Sequence, residues 1–197
     1  MIERLYINNF RCFENFDFPI GGRSSALLIG KNGTGKSSIG HVLQVFQKIA
    51  RGTNRVRDLF ELSDFSQGRA EIPIRFVLEV RLDQSRYNYD LALELPENFK
   101  ELRVSKEQLS HNGVTIYNRE NAQVNLSKQG STEANFLLDW HLIALPIIQT
   151  QSTSDPILPF KTWLERMLIL APIPSLMTGD SEGESLEPNK TCSNFGE

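Results

Sequence analysis

Cysteine is scarce: Cys12 and Cys192 are the only two in 197 residues, and nothing around either suggests a metal site or a redox pair. That usage excludes a disulfide scaffold and fits a reducing cytosol. His41, His111 and His141 are the only histidines, and none has a partner cluster for metal or nucleophile chemistry. No uninterrupted apolar run approaches the roughly 20 residues of a membrane-spanning helix. The first stretch, MIERLYINNFRCF, carries charges where a signal peptide would have its apolar core. A formal charge of -3 gives no global attraction to nucleic acid and leaves room only for a local basic patch. These absences predict a soluble, cytoplasmic protein with no membrane partner. With 40% hydrophobic residues, the chain can bury a core in one large domain or two lobes.

What is present is concentrated in SALLIGKNGTGKSSIGHVLQVFQKIARG, residues 25–52. Gly30, Gly35, Lys36 and Ser37 fit the spacing G-x-x-x-x-G-K-[ST], a phosphate-binding loop when a strand precedes it and a helix follows. Ala26 to Ile29 is a short apolar run suited to a buried parallel strand. Ile39, Val42, Leu43, Phe46 and Ile49 recur at helical spacing, and Gly52 offers a stop. Gly33 and Gly35 permit the backbone to bend around phosphate oxygens. The N–H groups of Lys31, Asn32, Gly33, Thr34, Gly35 and Ser38, with the helix dipole, favour a polyanion. Lys36 would reach the β- and γ-phosphates and the Ser37 hydroxyl would ligate Mg²⁺. The expected ligands are ATP and Mg²⁺.

Around the loop the pattern predicts an α/β fold of the P-loop NTPase class. Three strands should lie within residues 1–29, including RLYINNF with Leu5 and Ile7 on one side, and ENFDFPI with Phe16, Phe18 and Ile20 alternating. From Ile72 to Leu82 the period is two, and Tyr87 to Leu95 repeats it, which predicts an antiparallel hairpin. Asn112-Gly113 marks a second hairpin at a turn needing positive φ. An antiparallel insert over about 70–127 follows, then a helical segment over 131–177. That segment starts at the STEANFLLDW cap and includes PFKTWLERMLIL, stopped by Pro172 and Pro174. Residues 178–197 read as a polar tail.

A hydrolase also needs an acidic residue after a hydrophobic strand. FLLDWH, with Asp139, is the nearest match, but its helix-like surroundings favour a capping or surface aspartate. Glu79 lies on the polar face of an alternating strand, and NLSKQG, residues 125–130, reads as the exit from the insert. No catalytic residue is assigned.

LYINNFRCFENFDF followed by LLIGKNGTGKSSI and a β-rich insert resembles the amino-terminal lobe of RecF/SMC/OLD-like ATPases of the ATP-binding-cassette type. The resemblance implies a mixed sheet around the P-loop helix plus an antiparallel meander lobe. It implies that Arg11 lies near the nucleotide phosphates and Asn32 near the γ-phosphate, and that a loop glutamine, Gln149 or else Gln151, contacts Mg²⁺. It further implies a carboxy-terminal lobe bearing the signature and acidic strand, and head-to-head homodimers of the complete protein. The family works in DNA repair, chromosome organisation or phage defence, so DNA or a nuclease partner is within expectation. ATP hydrolysis would then require that second lobe. The alternative is a complete, non-hydrolysing, nucleotide-gated interaction module.

Overall fold

The computed structural model describes residues 1–23, 25–128, 131–149 and 155–170. The chain divides into two compact units, Met1–Glu165 and Arg166–Glu197, and every described strand and helix lies in the first. Its frame is an antiparallel sheet of β1 (Ile2–Asn8), β2 (Phe16–Pro19), β3 (Ile74–Leu82), β4 (Ser85–Glu94), β5 (Arg103–His111), β6 (Val114–Glu120), β7 (Gln123–Lys128) and β8 (Ser131–Leu137). The order across the sheet is β2-β1-β3-β4-β5-β6-β7-β8.

The alternation anticipated in β3 and β4 is observed: Ile74, Phe76, Leu78 and Val80 are buried, and so are Tyr87, Tyr89, Leu91 and Leu93 across the ladder. Helix α1 (Lys36–Ala50) lies on that face and sets Phe46 edge-on to Phe76 and Tyr89, with ring centroids 6.1 and 5.8 Å away. Helix α3 (Ile157–Glu165) places Phe160 5.4 Å from Tyr87. The other face carries charge pairs. Arg4 bridges Asp17 and Glu79, while Arg75 and Lys106 converge on Asp90. Asn112 and Gly113 have φ of 50° and 81°, the paired positive values of a tight hairpin turn.

Several sequence expectations give way here. Ala26 to Ile29 form no strand, and Leu27 and Ile29 are 83% and 86% exposed. An apolar run becomes a buried strand only where neighbouring strands offer hydrogen bonds on both sides, and the sheet of the described residues ends at β2 and β8. Every pairing in it is antiparallel, so the mixed sheet is not observed. Two strands precede the loop rather than three. The meander extends past 127: residues expected to start a helix at Ser131 form β8, paired with β7. Helix α3 ends at Glu165, ahead of the prolines, and Leu168 beyond it is 64% exposed. The boundary at 177 and the tail lie outside the described residues.

Two apolar slots of the alternation are filled by charge. Glu107 on β5 and Arg119 on β6 are both fully buried. The Glu107 carboxylate accepts from the Tyr89 and Tyr117 hydroxyls at 3.0 and 2.8 Å, and from the N–H groups of Ala144 and Leu145 at 2.7 and 2.9 Å. Those amides open the short helix α2 (Ala144–Ile147). Arg119 donates to the carbonyls of Asn121, Asp139 and Leu142. Burial, reinforced by the Glu107 charge, pushes both tyrosines well above their ordinary range, so they remain donors. The cluster thereby clamps residues 139–145 to the sheet.

Glu107→Ala would strand Arg119 in the core, and a loss of about 3–5 kcal/mol in urea unfolding is expected. On the outer face, burial alone would raise the Asp90 carboxyl, but the bonds from Arg75 and Lys106 outweigh it and hold it below its ordinary value. A depressed carboxyl contributes stability above its unfolded pKa and loses it as pH falls through the folded one. Asp90→Asn should therefore be less stable than the wild type at neutral pH. The gap should close below about pH 4 in urea midpoints taken across pH.

Candidate nucleotide-binding site

Gly35 is the N-cap of α1, with φ 94°. An added Cβ would stand 2.5 Å from Phe13 Cζ and 2.7 Å from Cys12 Sγ, so the turn after β1 presses directly on the loop's end. Gly33, at φ 86°, faces open space instead. Both need glycine's conformational freedom, and Gly35 also needs its missing side chain.

The loop folds on itself through few bonds. Thr34 Oγ1 donates to the Lys31 carbonyl at 2.9 Å, and Lys36 Nζ donates to the carbonyls of Gly30 and Lys31, each at 2.7 Å. The Ser38 and Ile39 amides close on Gly35 at 2.9 and 3.1 Å. The amides of Gly33, Gly35, Lys36 and Ser37 have no protein acceptor among the described residues. Unsatisfied N–H groups at the start of a fifteen-residue helix, beside an ammonium group, form an anion cradle. Lys31, Asn32, Thr34 and Ser37 are exposed around it, with Ser38 partly covered.

Arg11 belongs to the turn that presses on Gly35. Its own backbone is left-handed, φ 55°. Its amide donates to the Asp64 carbonyl at 2.6 Å, its Nε to Asp64 Oδ1 at 2.8 Å, and its Nη2 lies 3.2 Å from His41 Nε2 on α1. The structure thus brings Arg11 to the flank of the loop's helix. Gln149 is exposed just past α2, and among the described residues no hydrogen bond is seen between it and Ser37; Gln151 lies outside them.

The acidic decoys resolve structurally. Asp139 Oδ1 accepts from the His141 amide at 2.8 Å and its ring at 3.2 Å, which holds the Asp139 carboxyl below its ordinary value. Of the capping or surface aspartate expected, the surface reading fits, its side chain being 60% exposed, although a strand rather than a helix precedes it. Glu79 is bonded to Arg4 at 2.9 Å. The segment from Asn125 to Lys128 belongs to β7 and leads into the hairpin with β8.

Sequence reasoning missed Asp64. It sits in a short 3-10 turn, Leu62–Asp64, and is 6% exposed. Its one signal was the Glu61-x-x-Asp64 spacing of a capping box, whose Asp64 Oδ2 accepts from the Glu61 amide at 3.0 Å. It missed equally the contact of Cys12 and Phe13 with Gly35, which no local pattern announces.

A family model described as AAA ATPase domain matches residues 1–147, which include β1, the loop, α1 and the whole meander. No curated protein matches the chain. Among the described residues no helix is long and apolar enough to cross a membrane.

The two glycines should separate experimentally. Gly35→Ala combines left-handed strain with a clash against the buried Phe13 ring, and a loss of about 2–4 kcal/mol in urea unfolding is expected. Gly33→Ala carries only the backbone strain, about 1 kcal/mol.

Proposed function

The chain belongs to the AAA ATPase domain family, and from that premise we propose that it binds Mg-ATP in the loop from Gly30 to Ser38. It does so as the nucleotide-holding part of a RecF/SMC/OLD-like ATPase acting in DNA repair, DNA maintenance or phage defence. The observation that carries the reading is the set of unsatisfied amides of Gly33, Gly35, Lys36 and Ser37 beside the Lys36 ammonium. A polyanion satisfies all of them together, and a triphosphate has the length to do so along a helix N-terminus.

In this reading the Gly33, Gly35, Lys36 and Ser37 amides hold phosphate oxygens, and Lys31, Asn32, Thr34 and Ser38 line the same mouth. Lys36 exchanges its two carbonyl partners for the β- and γ-phosphates. Mg²⁺, when bound, would supply charge neutralisation, and the exposed Ser37 hydroxyl would hold it, with Gln149 as a second ligand. Arg11 meets the terminal phosphate.

Hydrolysis needs a carboxylate at the loop, and neither Asp139 nor Glu79 stands there. We assign that group to a second lobe, with two such heads closing over ATP in the complete protein. The exposed Leu27 and Ile29 support this, because an apolar run leading into the loop is then a strand awaiting its neighbours. The family likeness behind this reading also brings DNA or a nuclease as the partner the heads act upon.

Calorimetric titration tests the central assignment. Lys36→Ala should weaken Mg-ATP binding by at least about tenfold, the equivalent of one charge-assisted contact, with an unchanged urea midpoint. Equal affinity in the variant would overturn it.

A further inference from the structure

We infer that Asp64 is a positioning residue for the nucleotide site: it fixes the Arg11 guanidinium so that its terminal nitrogens face α1 and the bound triphosphate. This rests on the proposed contact between Arg11 and the terminal phosphate.

One residue holds Arg11 at two points. The Asp64 carbonyl takes the Arg11 amide at 2.6 Å, and the Asp64 carboxylate takes Nε at 2.8 Å. The carboxylate is itself fixed, since Oδ2 accepts from the Glu61 amide at 3.0 Å and only 8% of the side chain is exposed. The segment carrying it is stapled to the same turn on either side. Ser66 N–H donates to the Asn9 carbonyl, Asn9 Nδ2 donates to the carbonyls of Arg69 and Ile72, and Arg69 pairs with Glu14. Arg11 therefore has little freedom at its backbone or at Nε.

The consequence lies in which edge of the guanidinium remains. Asp64 engages Nε, and Nη2 reaches across to His41 Nε2 at 3.2 Å. That partner is an imidazole nitrogen, which as an acceptor is weaker than a phosphate oxygen, whereas a bond to a buried carboxylate is among the stronger ones. A triphosphate in the loop displaces His41 from Arg11 and leaves Asp64 in place. Asp64 thus sets the direction, and His41 occupies the contact until the ligand arrives.

The test compares Mg-ATP with Mg-ADP by calorimetry on the full chain, because only the terminal phosphate should sense Arg11. Arg11→Ala, Asp64→Asn and Arg11→Lys should each weaken ATP by about tenfold, the size of one charge-assisted bond, and leave ADP unchanged. Lysine keeps the charge but has no Nε for Asp64 to hold. The double variant Arg11→Ala/Asp64→Asn should bind ATP no more weakly than Arg11→Ala alone. The inference is overturned if Asp64→Asn or Arg11→Lys retains the wild-type preference for ATP, or if Asp64→Asn weakens both nucleotides alike. Should Asp64→Asn fail to fold, Arg11→Lys, at a side chain 39% exposed, decides alone. Arg11→Ala without effect on a chain that still binds both nucleotides would remove the Arg11 contact and this inference, but leave the loop assignment standing. Absence of binding to the wild type would remove both.

Discussion

The contact of Gly35 with Phe13 and Cys12 is the constraint from which the site's geometry follows. It fixes where α1 begins relative to the turn after β1, and so where the unsatisfied amides of the first helical turn open. A side chain at that position would force the turn and the helix apart. Because the turn also carries Arg11, one close approach sets both the anion cradle and the cation on its flank. The turn in turn is held by β1, whose Leu5 and Ile7 are buried in the sheet, and by the 61–72 segment bonded across it.

The second organising element is the Glu107 cluster. Replacing a core apolar pair with a carboxylate and a guanidinium is costly unless every lone pair and proton is met. Here two tyrosine hydroxyls, two helix-opening amides and three carbonyls meet them. What the cluster secures is placement. It takes a stretch with little regular structure, residues 139–145, and holds it against β5 and β6, which an apolar contact would do with less directional control. The clamped stretch leads through α2 to Gln149, so the position of Gln149 depends on a carboxylate far earlier in the chain.

How far the molecule could be read from its sequence depended on the range of each determinant. The loop spacing, the helical stripe and the period of two in β3 and β4 are local; of the stripe Ile39, Val42, Phe46 and Ile49 are buried, with Leu43 only half-buried. The Asn112-Gly113 turn was legible for the same reason: its backbone demand is met within two residues. Where partners came from afar, the reading failed. Ala26 to Ile29 has a strand's composition without a strand's neighbours. Ser131 to Leu137 has a cap-like start, but pairing with β7 overrode it. Glu107 and Arg119 gave no signal because the groups that satisfy them lie in other elements. Asp64 was hidden likewise, its role being visible only once β1 and the 3-10 turns are brought side by side.

The cradle is fastened at one end only. Gly35 is packed and leads into a helix, whereas residues 25–29 make no main-chain hydrogen bond among the described residues and expose their apolar side chains. A ligand that closes the loop must therefore restrict that free arm itself. The heat released by phosphate contacts would then be offset by lost chain entropy, and a nucleotide would be held less tightly than by the same contacts on an arm already braced. Any partner that ordered residues 25–29 would raise affinity without touching the nucleotide.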